Sequence, residues 1–183
     1  MNLYRAGLVL SFSVYLLAPS AIVAQPLPAP ASYPPVVSEK GLITAHQLSL
    51  DMAERIVRAG IEACRKMGFR TTMVVVDSSG AMKAFLRDDQ TAPHTVSLAQ
   101  DKAYTALTLA SRFATSLTFA SARNSTLGSP MTNIRGVVGV GGGVPIRYRG
   151  EVIGAVASSG AVGGDKDELC AQAGIEAVAS DLK

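Results

Sequence analysis

The chain has 183 residues, 48% of them hydrophobic and 17% charged, with 17 Lys plus Arg against 14 Asp plus Glu and only two cysteines. That length fits one compact domain, and the low charge content argues against intrinsic disorder of its main body. A formal charge of +3 without any basic block is too weak for the counterion-releasing footprint of a nucleic-acid binder, so no nucleic-acid partner is expected.

In chain order, Arg5 precedes an apolar run over residues 6–17, closed by Ala18, Pro19 and Ser20. This is the layout of a secretory signal peptide, with processing expected after Ala24 and a periplasmic or secreted product. The run is shorter than the roughly 20 residues that span a bilayer, so no membrane span is expected after cleavage. Residues 25–37 carry five prolines in thirteen positions, which imposes extended backbone without a hydrogen-bonded element. The organisation therefore reads as a signal peptide over 1–24, a proline-rich linker over 25–40 and a single domain over 41–183. Cys64 and Cys170 each fall in a predicted helix among apolar neighbours. One disulfide in an oxidising compartment fits them, and so do two buried thiols acting as small hydrophobes. No Cys-x-x-Cys-His occurs, which excludes the usual covalent c-type haem attachment.

Thr44 and Gln47 form a capping box, after which Leu48, Met52, Ile56, Ala59, Ala63 and Met67 recur at helical spacing up to Gly68. The β-branched run 71–76 breaks at Asp77-Ser78-Ser79-Gly80 and strand character resumes over 81–87, which predicts a hairpin closed by Asp88 and Asp89. Residues 95–110 predict a buried helix with Thr95 or Ser97 as cap, and a short helix is expected from about Thr115. Residues 125–135 read as a loop leading to a third strand over 137–140. The runs 146–149 and 151–157 predict a second tight hairpin around Gly150, and the last helix spans about 165–181. This order is not a strict alternation of strand and helix. The expected class is α+β, a mostly antiparallel sheet with helices packed against it.

The stretches 42–69, 73–89 and 99–107 and the glycine hairpin GVGGGVPIRYRGEVIGAVASSG, followed by DELCAQAGIEAV, together resemble the GlcG/HbpS-like family of haem-binding and proposed haem-degrading proteins. Lys102-Ala103-Tyr104-Thr105-Ala106 precedes Gly142-Gly143-Val144-Pro145 and Gly150-Glu151-Val152-Ile153-Gly154 in the family's order and separation. The chain departs from the family pattern at Ala157 and at Arg112-Phe113-Ala114-Thr115. The resemblance implies a profilin-like fold, a central antiparallel sheet flanked by helices, and assembly into symmetric homo-oligomers. It also implies haem (iron protoporphyrin) as a non-covalent ligand.

His46 and His94 are the only histidines, and no His-Glu-x-x-His or paired-cysteine zinc spacing is present. Haem asks for one axial ligand, an apolar slot and cations for its propionates. His94, between Asp88-Asp89 and the helix bearing Lys102, is the preferred axial ligand and metal-binding residue. His46, near the start of the first helix, is a second candidate across an oligomer interface. Lys102 is placed to reach a propionate or a substrate carboxylate, or else to form a structural ion pair with an acid such as Asp167. By the family resemblance Thr115 borders the pocket, although capping the following helix is its simpler role. Residues 136–143, GVVGVGGG, lack both the Rossmann and the P-loop spacing and are read as a close-packing turn. Asp165, Asp167 and Glu168 suit a helix N-terminus, and a carboxylate site for released iron is the alternative.

The resemblance, together with the signal segment, implies a secreted or periplasmic haem-binding protein assisting haem degradation, uptake or sensing. Two other readings are an accessory protein or enzyme acting on a small carboxylate or corrinoid, with Lys102 and Arg147 neutralising the anion, and an oligomeric module that contacts a membrane-bound sensor. No flavin or nicotinamide motif is present, so haem degradation would need an outside reductant.

Overall fold

The computed structural model describes residues 38–39, 41–109 and 134–183. The signal segment, most of the proline-rich linker and Thr115 with its expected short helix lie outside the described residues. The elements are β1 (Ser38–Glu39), β2 (Leu42–Ile43), α1 (Leu50–Lys66), β3 (Thr72–Asp77), β4 (Met82–Arg87), α2 (Thr95–Leu109), β5 (Gly143–Tyr148), β6 (Glu151–Ser159) and α3 (Gly164–Glu176). A short 3-10 turn, Ala179–Leu182, follows. No helix among the described residues is long and apolar enough to cross a membrane.

Helix α1 starts five residues later than the expected capping box implies. Ser49, not Thr44, is the N-cap, and its side chain accepts from the Met52 amide. Leu48, which continues the helical spacing in the sequence, instead precedes the cap as a buried residue of the extended approach. The C-terminus is a Schellman turn: Gly68, at φ 83°, donates to the Arg65 carbonyl at 3.0 Å and Phe69 to that of Cys64 at 2.9 Å. This turn sends Phe69 and Arg70 out of the helix in a fixed direction.

Two hairpins build the main sheet, in the order β4-β3-β6-β5, all antiparallel. The Asp77 carboxylate fixes the first turn by accepting from the Ser79 amide at 2.8 Å and the Ala81 amide at 3.2 Å. Arg149 and Gly150, at φ 47° and 85°, make the second turn, the pair of positive φ values that a two-residue hairpin favours. Residues 137–140 are not a strand. Flanked by glycines, they run along α2, where the Val138 amide donates to the Thr105 hydroxyl at 2.9 Å rather than to a strand. Strand β5 begins instead at Gly143. The last helix breaks after Glu176 and resumes only as the 3-10 turn.

The central strands β3 and β6 are buried on both faces. Met73, Val75, Ile153 and Val156 face α1 and α3 together with Ile56, Val57 and Ala171. Val74, Val76, Ala155 and Ala157 face α2, which meets them through Ala99, Ala103 and Ala106. The second interface is made of small side chains and brings α2 close to the sheet. This is the expected α+β arrangement, one domain with helices on both faces of an antiparallel sheet.

Cys64 of α1 and Cys170 of α3 form a disulfide with a Cα separation of 5.3 Å. It closes a loop of 106 residues in sequence, long enough to remove substantial entropy from the unfolded chain. The double variant Cys64→Ala/Cys170→Ala is expected to lose about 2–5 kcal/mol in urea unfolding. An unchanged midpoint would mean that the bond contributes nothing to stability.

Candidate functional site

At one end of the sheet, β3 begins, β4 and β6 end, and helices α2 and α3 start. A cleft of about 670 Å³ opens there, within the ~300–1,000 Å³ typical of small-molecule and cofactor sites. Its walls are the turn after α1 with Phe69 and Arg70, the β4–α2 loop with Thr91 and His94, and Leu98 of α2. Val140, Gly160 and Ala161 and the start of α3 at Gly163 complete it.

Lys102 and Asp167 form the floor, both almost fully buried. The Lys102 ammonium donates to Asp167 Oδ2 at 2.8 Å and to the Ser158 carbonyl at 3.1 Å. Asp167 Oδ1 in turn accepts from the Ala161 amide at 3.0 Å and the Ser158 hydroxyl at 3.2 Å. Burial pushes the Asp167 carboxyl up, against the pull of the Lys102 charge and these hydrogen bonds. The glycines before β5 make room for the pair. A Cβ at Gly142 would lie 2.7 Å from that of Asp167, and one at Gly143 would collide with the Lys102 carbonyl. The close-packing reading of GVVGVGGG holds at these two positions.

The β4–α2 loop is held from two sides. Buried Asp88 accepts from Arg65 Nε at 2.9 Å and Nη2 at 2.6 Å, and from the Asp89 amide at 2.8 Å. The Arg65 guanidinium keeps the Asp88 carboxyl below the usual carboxylate range, with the loop amide and Arg70 adding to the effect. Arg87 donates to the Thr91 carbonyl, and the Thr95 hydroxyl bonds Thr72 of β3 and the Ala92 carbonyl, each at 2.7 Å. His94 is thereby presented immediately before α2, exposed on the cleft wall.

Residues 48–176 match the family described as haem degrading protein HbpS-like. The chain belongs to this family. A double mutant of HbpS from Streptomyces reticuli is 29% identical, with a TM-score of 0.69 over 80% of this chain and 97% of that one. A second HbpS crystal structure is 30% identical, with the same TM-score, over 77% of this chain and 97% of that one. The PduOC:heme complex shares the fold at 24% identity and a TM-score of 0.62, over 72% of this chain and 95% of that one. No curated protein matches. The resemblance read from the sequence is borne out.

In this HbpS-like chain the cleft brings together His94 and Lys102, two of the four expected site residues. Lys102 has its ammonium in the ion pair with Asp167, the alternative weighed for it in the sequence. His46 lies elsewhere: its Nδ1 is 2.7 Å from Glu151 Oε2 and its ring packs 4.8 Å from that of Tyr148, beside the β5–β6 turn. Arg147 lines a different groove, with Pro145 and Leu182. No group of three or more His, Cys, Asp or Glu side chains among the described residues could hold a metal ion, and Asp167 faces Lys102 rather than Asp165 or Glu168. Phe69, Arg70 and Asp88 escaped the sequence reading. Their only local signal is the glycine that ends α1 and the paired aspartates that end β4.

Removing one partner of a buried ion pair leaves the other uncompensated, so Asp167→Asn should cost about 3–5 kcal/mol in urea unfolding. Lys102→Met/Asp167→Leu should recover most of that loss, and a single variant as stable as the wild type would dismiss the pair as an anchor. A second prediction concerns Glu168, whose carboxyl burial, reinforced by the Asp165 charge, pushes up from 4.5 to about 7. The folded state then binds the proton more tightly than the unfolded one. This contribution to stability is complete below pH 4.5 and declines as pH rises to about 7. Glu168→Gln should flatten that decline in thermal melts across the window; an identical slope would refute it.

Proposed function

We propose that this protein holds haem non-covalently in the cleft, with His94 as its axial ligand. The observation that carries the reading is the place of His94, on the wall of a cleft large enough for a cofactor, in a chain of the HbpS-like family. The lining chemistry fits the group. Phe69, Leu98, Val140 and Ala161 offer apolar contact to a flat macrocycle, and His94 is the only lining side chain among the described residues of a type that commonly ligates haem iron. When bound, haem would supply iron-centred redox and ligand chemistry; the protein's share is to bind it, orient it and limit water around it. The Lys102–Asp167 pair between α2 and α3 forms the floor of the cleft, and the apolar side chains come from several of its walls.

The protein's place in the cell is proposed as the periplasm or the exterior, and its assembly as a homo-oligomer that serves haem degradation, uptake or sensing. The layout of residues 1–24 supports export, and so does the Cys64–Cys170 disulfide, a bond that persists in oxidising compartments. Exposed Leu42, Ile43, Val162 and Leu169 supply apolar surface for subunit contacts. Any sensor partner and any degradation of the bound haem belong to the same proposal, the latter with an external reductant.

An absorbance titration of the purified protein with haemin should give a saturable Soret shift at a fixed ratio per subunit. His94→Ala should shift or abolish that band and weaken binding about tenfold or more, whereas His46→Ala should leave it in place. A wild-type titration without saturation would reject haem as the ligand, and an unaltered spectrum in His94→Ala would remove His94 from the site.

A further inference from the structure

We infer that Arg70 is the residue with which the cleft recognises carboxylate groups of its ligand, and that Asp88 is the positioning residue that aims it. This inference rests on the haem reading above, since haem carries two propionates.

Three cationic side chains line the cleft: Arg70, Lys102 and, when protonated, His94. Lys102 is neutralised in place by Asp167 and the Ser158 carbonyl, and extracting its ammonium would strand a buried carboxylate. Arg70 is in the opposite condition. Its side chain is half exposed, its Nε stands 3.8 Å from Asp88 Oδ2, and it makes no hydrogen bond among the described residues. Asp88 cannot take much more from it, because the carboxylate already accepts two hydrogen bonds from Arg65 and one from the Asp89 amide. The guanidinium is thus attracted and restrained by a neighbouring charge while its donors stay available to the cleft.

The backbone beneath Arg70 is equally fixed. The Schellman turn places Phe69 against the core, Thr71 is fully buried, and the Arg70 carbonyl sits so close to Gly160 that a Cβ there would lie 2.6 Å from it. A planar fork of donors on a rigid base suits bidentate recognition of a carboxylate, which a flexible lysine ammonium does not reproduce. Asp88 and exposed Asp89 are the acids of the adjoining loop, and Arg65 offsets the first of them. A carboxylate entering beside Arg70 therefore meets a positive group without facing a bare buried acid.

The test uses the purified protein, titrated by Soret absorbance with haemin and with haemin dimethyl ester, which presents the same macrocycle without carboxylates. Wild type should prefer haemin by about tenfold, the scale of one charge-assisted hydrogen-bonded pair. Arg70→Gln should collapse that preference, Arg70→Lys should restore it only in part, and Asp88→Asn should reduce it by releasing the guanidinium. Circular dichroism of each variant checks that the fold survives. Wild-type protein that binds both porphyrins equally, or an Arg70→Gln protein that keeps the preference, overturns this inference and leaves the haem reading intact. Failure of both porphyrins to bind overturns the two together.

Discussion

The buried ion pair between Lys102 and Asp167 is the contact on which the cleft depends. It joins the middle of α2 to the first turn of α3, two helices that lie on opposite faces of the sheet. Desolvating both charges is costly, and the pair offsets that cost only because every neighbouring group cooperates. The Ser158 carbonyl and hydroxyl, the Ala161 amide and the side-chain-free edge at Gly142 and Gly143 are all arranged around it. Replacing such a network by apolar side chains need not unfold the protein. It would free the two helices to choose their own separation, and the cleft lies between them.

The small side chains under α2 belong to the same arrangement. Ala99, Ala103 and Ala106 let the helix approach β3 and β6 closely, and only at that distance does the Lys102 side chain reach across to α3. A helix with larger residues on that face would stand off the sheet and strand the ammonium. Packing and electrostatics here are one constraint rather than two.

Much of the fold was legible in the sequence because its signals are local. The β-branched run before Asp77-Ser78-Ser79-Gly80 and the turn around Gly150 each identify a hairpin from a few consecutive residues. Local signals also misled where two were available. Thr44 and Ser49 both offer a capping hydroxyl, and the choice falls to Ser49 because Leu48 is needed in the core before the helix begins. Residues 137–140 have strand composition, but their amide partner is a threonine hydroxyl on α2, which no periodicity could reveal. Within the cleft, His94 and Lys102 stood out as rare or oddly buried polar residues, and Asp167 as a nearby acid. Arg70 and Asp88 did not, since an arginine after a helix and an aspartate after a strand are ordinary. They become a unit only when α1, β3 and β4 meet.

The disulfide between α1 and α3 bears on more than resistance to unfolding. Cys64 lies just before the turn that carries Phe69 and Arg70 into the cleft, and Cys170 lies one turn beyond Asp167. The covalent link therefore spans the two walls and limits how far they can drift apart in the folded protein. A ligand that enters such a site finds its walls already at their working distance, and the entropy of ordering them has been met during folding rather than at the moment of binding. Any affinity of this cleft for the proposed ligand would in that sense be partly a property acquired when the thiols were oxidised.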